Sequence, residues 1–401
     1  MKRKIAQLAA LILGIAFLAA VFLFDWNSIN YYEAYNTSTL HYVRARVETI
    51  HSETLELDGH DSSRYLGVQD ITVRLLEGGQ KGEQVRLSNY LTRVHNIQVR
   101  QGQTVVICAD TPENAQPYYT VFNYDRTAPL VLLIAIFSAA VLLIGRGKGL
   151  RALLGVAYTL LTIILFTVQA IYHGFSPVAV TALTVLIAGG ASLLLLNGFS
   201  RRTAAAVLST LAGVCVTGLA FALFSGLLHL SGYNMDAAET LLTASDSTGL
   251  SVRWLLLAGV LISALGAVMD VAVSLAASLE ELVLVNPNMG QKALLRSGLN
   301  IGKDMIGTMS NTLILAYAGT ALSTMLCLIA YGYQFTQLLS SDYLAIELSQ
   351  GLCATLGVVL TVPAAAGVSC LLFVRRKTAP LPPAEKSGAK RRSNKDSIIE
   401  R

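Results

Sequence analysis

Charge is what this sequence has least of. Charged residues fill 14% of its 401 positions and hydrophobic residues 53%, whereas soluble domains carry about 25% charged residues. A chain this poor in charge points to lipid as its main surroundings. The net charge of +5 does not point to nucleic acid. The basic residues gather beside apolar runs and in the last stretch of chain, where they suit membrane topology or anionic lipid. Cysteine is scarce as well. Cys108, Cys215, Cys327, Cys353 and Cys370 stand apart with no CxxC spacing, so neither a zinc site nor a redox pair is expected, and they read as small buried hydrophobes. Enzyme signatures are missing too: there is no GxSxG, no HExxH and no Walker A loop. The chain is therefore not expected to be an enzyme or to hold a cofactor, and ATP, if used, would come from a partner subunit.

What the sequence does have is apolar runs of spanning length. A helix needs roughly 20 apolar residues to cross about 30 Å of hydrocarbon. A first run covers 5–24 behind the basic Met1–Lys4 and ends without a small-x-small site, so it reads as an uncleaved anchor. Seven more lie near 128–144, 152–172, 177–197, 203–229, 254–279, 305–332 and 348–374. Residues 25–127 differ. Alternation appears in Tyr42–Glu48, Ile71–Leu75, Gln84–Leu87 and Thr104–Ile107, separated by Asp58-Gly59, Gly78-Gly79 and Gln101-Gly102. A period of two with short spacing predicts the strands of a small barrel or sandwich. His41, His51, His60 and His95 fall here in no metal-ligand spacing and read as surface or packing residues. The expected fold is an all-α transmembrane bundle of about eight spans with a small all-β extracytoplasmic domain inserted after the first. Its parts are an anchor at 1–24, the β domain at 25–127, seven spans at 128–376 and a basic cytosolic tail at 377–401, which reads as disordered.

Loop charge assigns the sides. Arg146, Lys148 and Arg151, then Arg201 and Arg202, then Lys292, Arg296 and Lys303, and finally Arg375, Arg376 and Lys377 fall on alternate connections, while Tyr172–Pro177, Leu228–Ser251 and Gln334–Glu347 are poor in basic residues. The positive-inside rule then puts both termini in the cytosol and the β domain outside. The expected partners are the bilayer, anionic lipid along Lys390, Arg391, Arg392 and Lys395, and a partner membrane subunit or a further copy of the chain.

Two apolar stretches carry polar stripes. At about 100° per residue, Ser263, Gly266, Asp270, Ser274, Ala277 and Glu281 share one helix face. In the next stretch Asn300, Asp304, Thr308 and Asn311 recur at helical spacing beside Gly307. A carboxylate at bilayer depth costs several kcal/mol by insertion scales unless it is protonated, paired or wet. Two such carboxylates at similar depth resist being ionised together. The pair Asp270 and Asp304 is thus a candidate for taking up and releasing a proton, or for holding a cation with Ser274, Thr308, Asn300 and Asn311. The plainer alternatives are a structural ion pair of Asp270 with Lys303 or a loop arginine, and a helix-capping role for Asp304. Glu280 and Glu281 read as solvated, and 292–299 as an amphipathic connector on the inner surface.

The stretches Met269-Asp270-Val271-Ala272, Ser274–Ser278, Ser297–Asp304 and Gly307–Tyr317 resemble the YibE/F-like family of bacterial multi-spanning membrane proteins. The resemblance runs over most of the chain and is strongest between Asp270 and Tyr317. It implies a protein of the bacterial plasma membrane, of Gram-positive origin, and it implies no particular activity and no catalytic residues. Three readings follow. The first is a permease or exporter coupled to protons or cations through the two carboxylates. The second is a non-catalytic scaffold or sensor whose outer domain binds an envelope component. The third, an intramembrane aspartyl protease, lacks its GxGD signature, since Gly302-Lys303-Asp304-Met305 stands where it would be.

Overall fold

Alternating apolar and polar residues between 40 and 124 pair into one sheet. In the computed structural model, residues 14, 16, 17, 19–21, 39–112, 115–232 and 252–374 are described; most of the first run, the 233–251 connection and the tail lie outside them. Strands β1 (Leu40–Asp58), β2 (Asp61–Leu75), β3 (Gln84–Leu91), β4 (Thr104–Asp110) and β5 (Tyr118–Tyr124) take the order β3-β2-β1-β4-β5, with every neighbour antiparallel. The register sets Val47 opposite Val73, Ala45 opposite Val105, Ile71 opposite Leu87 and Ile107 opposite Val121. All eight are buried, so one face of the sheet is apolar, and Ile97 and Val99 pack against it. The strand β5 was not legible in the sequence, because its aromatics lie on both faces. Phe122 stacks edge-on against Tyr42 at 4.8 Å outside the core, while Tyr119 and Tyr124 pack onto the core.

A polar clamp holds the 95–100 segment to this core. Gln69 and Asn89 are buried, and both groups of the Gln69 amide are fully engaged. The Gln69 amide donates to Glu53 at 2.6 Å and to the Val99 carbonyl at 3.1 Å. Its carbonyl accepts from Asn89 and from the Val99 N–H, both at 3.0 Å. Removing one partner from such a network leaves buried groups unsatisfied at about 1–3 kcal/mol each. Gln69→Leu is therefore expected to destabilise the outer domain by a few kcal/mol and to release the Val99 amide to fast hydrogen exchange. Unchanged exchange at Val99 would show that the clamp holds nothing.

Ion pairs on the domain surface add a pH dependence. Hydrogen bonds from Arg86 hold the Asp70 carboxyl below its ordinary value, and hydrogen bonds from Arg44 do the same for Glu77. Both carboxyls hold protons less tightly folded than unfolded, so their contribution is present above the usual carboxylate range and is lost as pH falls through the folded values. Resistance to urea should decline below pH about 4, and Asp70→Asn with Glu77→Gln should flatten that decline. Exposed pairs contribute little, so the change is small.

Six described helices are long and apolar enough to cross a membrane: α1 (Thr127–Tyr172), α2 (Pro177–Leu195), α3 (Arg201–Leu227), α4 (Val252–Val285), α5 (Gln291–Ala330) and, after the short α6 (Phe335–Leu339), α7 (Asp342–Phe373). About eight spans were expected. The first falls largely outside the described residues, and the runs at 128–144 and 152–172 are two helices that meet at a kink at Arg146 (φ 46°, ψ −129°) and are counted together as α1. At that break Gly149 lies so close to the Val141 carbonyl that a Cβ would sit 2.3 Å from its oxygen.

Local sequence explains the helix starts. The hydroxyls of Ser200 and Ser341 accept the Thr203 and Leu344 N–H groups at the first turns of α3 and α7, and Pro177 opens α2, where its missing N–H costs nothing. Helix α7 lies at the centre, packed against α3, α4 and α5. Of the cysteines, Cys353 and Cys370 are buried, as the sequence suggested, but Cys215 and Cys327 are exposed on the outer faces of their helices. For a thiol surrounded by lipid, that exposure carries no penalty of the kind water imposes.

Candidate functional site

Helix α4 is packed on every side but one. Val268, Val271, Ala272, Leu275 and Leu279 are buried, whereas Ser263, Gly266, Asp270, Ser274 and Glu281 form an exposed stripe. The helix has 34 residues, about 51 Å, and Asp270 stands near its middle. On α5, Asn300, Asp304, Gly307, Thr308 and Asn311 are likewise exposed.

The start of α5 corrects two expectations. The helix begins at Gln291, well before the apolar run at 305–332, because Leu294, Gly298 and Gly302 continue its buried side four residues apart. The segment 292–299 is therefore part of this helix and not a separate surface connector. Asp304 lies in the fourth turn of that helix, too deep to cap it. A third alternative fails as well, since Asp270 makes no ion pair with Lys303 or a loop arginine. Among the described residues, neither Asp270 nor Asp304 has a hydrogen-bond or ion-pair partner for its carboxylate.

Two contacts fix the relative depth of the stripes. Gly298 abuts Leu279, whose Cδ atoms an added Cβ would meet at 3.1 and 3.3 Å, and the hydroxyls of Ser263 and Tyr317 are hydrogen bonded. Between these levels α4 advances 16 residues and α5 advances 19. On that scale Asp270 is level with Thr308 and Met309, and Asp304 is level with Ser274. The carboxylates are thus about one helical turn apart along the axis, roughly 6 Å. The structure brings Asp270, Ser274, Asp304 and Thr308 within about one helical turn of depth on neighbouring helices, with Asn300 and Asn311 one turn to either side of Asp304 and Thr308. It leaves both stripes facing out of the bundle, with no hydrogen bond between them. The Thr308 hydroxyl is engaged by the Met305 carbonyl of its own helix at 3.1 Å. Among the described residues no three His, Cys, Asp or Glu side chains cluster as a metal site would require.

Tyr317 is the residue that sequence reasoning passed over. Its ring packs on Gly351 of α7, where a Cβ would lie 3.4 Å from it, and its hydroxyl reaches Ser263, so one side chain ties α4, α5 and α7 together. The available signal was a lone tyrosine inside an apolar span facing a glycine on a neighbouring helix.

Residues 133–375 match the model of the YibE/F-like protein family. The chain belongs to the YibE/F-like family. The match begins within α1 and ends just past α7, so the YibE/F-like part of the chain is the helical bundle with both carboxylates, and the sheet domain lies outside it. No curated protein and no solved structure matches the chain.

Proposed function

We propose that this YibE/F-like protein is a plasma-membrane permease or exporter that couples solute movement to protons or cations through Asp270 and Asp304. Its eight spans would hold both termini in the cytosol and the sheet domain outside, as the positive-inside pattern of Arg146–Arg151, Arg201, Arg202, Lys292 and Arg296 favours. One observation carries the reading: two carboxylates within about one helical turn of depth on adjacent helices, uncovered and without partners among the described residues. A structural carboxylate inside a membrane protein is paired; an unpaired one marks an ion or proton pathway. The test is neutralisation. Vesicles energised with an ion gradient should accumulate or expel a solute, found by mass-spectrometric profiling of their contents, and Asp270→Asn and Asp304→Asn should each abolish that movement while insertion is unchanged. Retained movement in both single variants overturns the proposal.

A specific observation favours a second reading. The sheet domain carries a cavity of about 900 Å³ lined by His41, Tyr42, Glu77, Gln80 and Thr111, suited to a sensor that binds an envelope component. Under that reading Asp270 tolerates replacement and changes to the cavity do not.

A further inference from the structure

The exposed stripes of α4 and α5 pose a problem for a single chain in lipid. Asp270, Ser274, Asn300, Asp304 and Asn311 would face hydrocarbon, where unsatisfied polar groups cost several kcal/mol each. Among the described residues nothing supplies a cover. The described part of the first helix packs elsewhere, with Phe17 against Phe166 at 5.4 Å and Gly14 against Tyr158. Glycine usage points the same way. Gly213, Gly302 and Gly357 inside the bundle are filled by neighbouring side chains, whereas Gly259 and Gly266 on the α4 stripe and Gly307 on the α5 stripe face empty space. Small residues at such positions let a further helix approach closely.

Charge says which helix. At one end of the surface, the α4 stripe terminates in Glu281 and the α5 stripe in Arg296 and Lys292, all exposed. On the depth scale set by Gly298 and Tyr317, Glu281 is level with Arg296, yet the two are not paired within the chain. A two-fold axis along the membrane normal preserves depth and sets α4 of one copy against α5 of the other. Each Glu281 then meets the partner's Arg296, twice over.

We infer that the α4/α5 surface is the contact between two copies of this chain, which encloses the carboxylates of both between them. The inference rests on the bilayer placement proposed above. It deepens the permease reading by giving the ion path a protein wall where one copy offers only lipid, but it stands or falls by a different measurement.

The experiment is the mass of the purified full chain in lipid nanodiscs, with and without variants. The wild type should contain two copies. Gly307→Trp adds its ring where the monomer has open space, so folding is retained and the particle should drop to one copy. Glu281→Arg and Arg296→Glu should each raise the concentration for half-dissociation at least 10-fold, and the double variant should restore the wild-type value. A single-copy wild type, a two-copy Gly307→Trp, or single reversals that the double variant fails to rescue would overturn the inference. Asp270→Asn should remain two-copy. If it does so while keeping solute movement, the dimer stands and the permease reading fails. If single-copy Gly307→Trp protein still moves solute, the permease reading stands and the enclosure fails.

Discussion

Gly357→Ala and Gly213→Ala should each lower the melting temperature of the detergent-solubilised protein by several degrees, with losses of about 1–3 kcal/mol apiece. Helices α3 and α7 cross through two reciprocal contacts. A Cβ on Gly357 would lie 1.8 Å from Thr217 Oγ1, and one on Gly213 would lie 2.0 Å from Thr361 Oγ1. Neither hydroxyl can swing aside without loss, since Thr217 donates to the Gly213 carbonyl at 3.1 Å and Thr361 to the Gly357 carbonyl at 2.7 Å. Each glycine thus seats the opposite threonine and accepts a bond from the threonine on its own helix. An added methyl group must push apart the helix pair at the centre of the bundle. Deleting the clashing atoms with Thr217→Gly should recover part of what Gly357→Ala loses, which a general intolerance of alanine would not give. Thermal unfolding of the two single variants and the double variant checks this; equal melting temperatures for all would show that the helices cross further apart.

Asp270→Asn should remove gradient-driven solute movement down to the level of vesicles without the protein, and leave the amount of inserted protein unchanged or raised. The direction of the second effect separates function from structure. Asparagine keeps nearly the same shape without the charge. A carboxylate at the centre of a spanning helix costs about 2.5–3.5 kcal/mol on insertion scales, so a neutral replacement eases insertion. A carboxylate that stabilised the fold through a buried pair would do the opposite, because its loss strands the partner charge. Asp270 has no partner among the described residues, so no charge is stranded. Asp304→Asn should behave alike, since Asp304 stands within about one helical turn of that depth and has no partner among the described residues. Quantitative blotting of membranes, set beside solute movement, reads both effects.

The polar stripes on α4 and α5 were legible in the sequence because a helix repeats at a fixed angle, so Asp270 and Ser274, or Asn300 and Asp304, had to share a face. Their similar depth followed from the short turn at Asn286-Pro287. The direction in which the stripes face was not legible. Whether a polar face turns into the bundle or away from it depends on where Gly298, Gly302 and Leu279 meet their neighbours, and those contacts join residues far apart in the chain. The true start of α5 was hidden for a related reason: Lys292 and Arg296 interrupt the apolar run, while Leu294 and Gly298 between them continue its packed side. In the sheet domain, alternation marked β1 to β4, but the length of the β1–β2 hairpin and the existence of β5 depended on pairing. The break at Arg146 divides α1 at the basic cluster that the charge pattern marked, although the helix continues on both sides of it.

The central claim is that Asp270 and Asp304 exchange a proton or a cation within the membrane. Its most direct test is reaction of the purified protein with a hydrophobic carbodiimide across a range of pH, with mass-spectrometric mapping of the modified residues. The reagent attacks a protonated carboxyl in an apolar setting. Modification at Asp270 or Asp304 is expected to fade as pH rises, to be slowed by the coupling cation and to be lost from the matching asparagine variant. No modification at either residue, in a sample where another carboxyl of the same chain is modified, would contradict it.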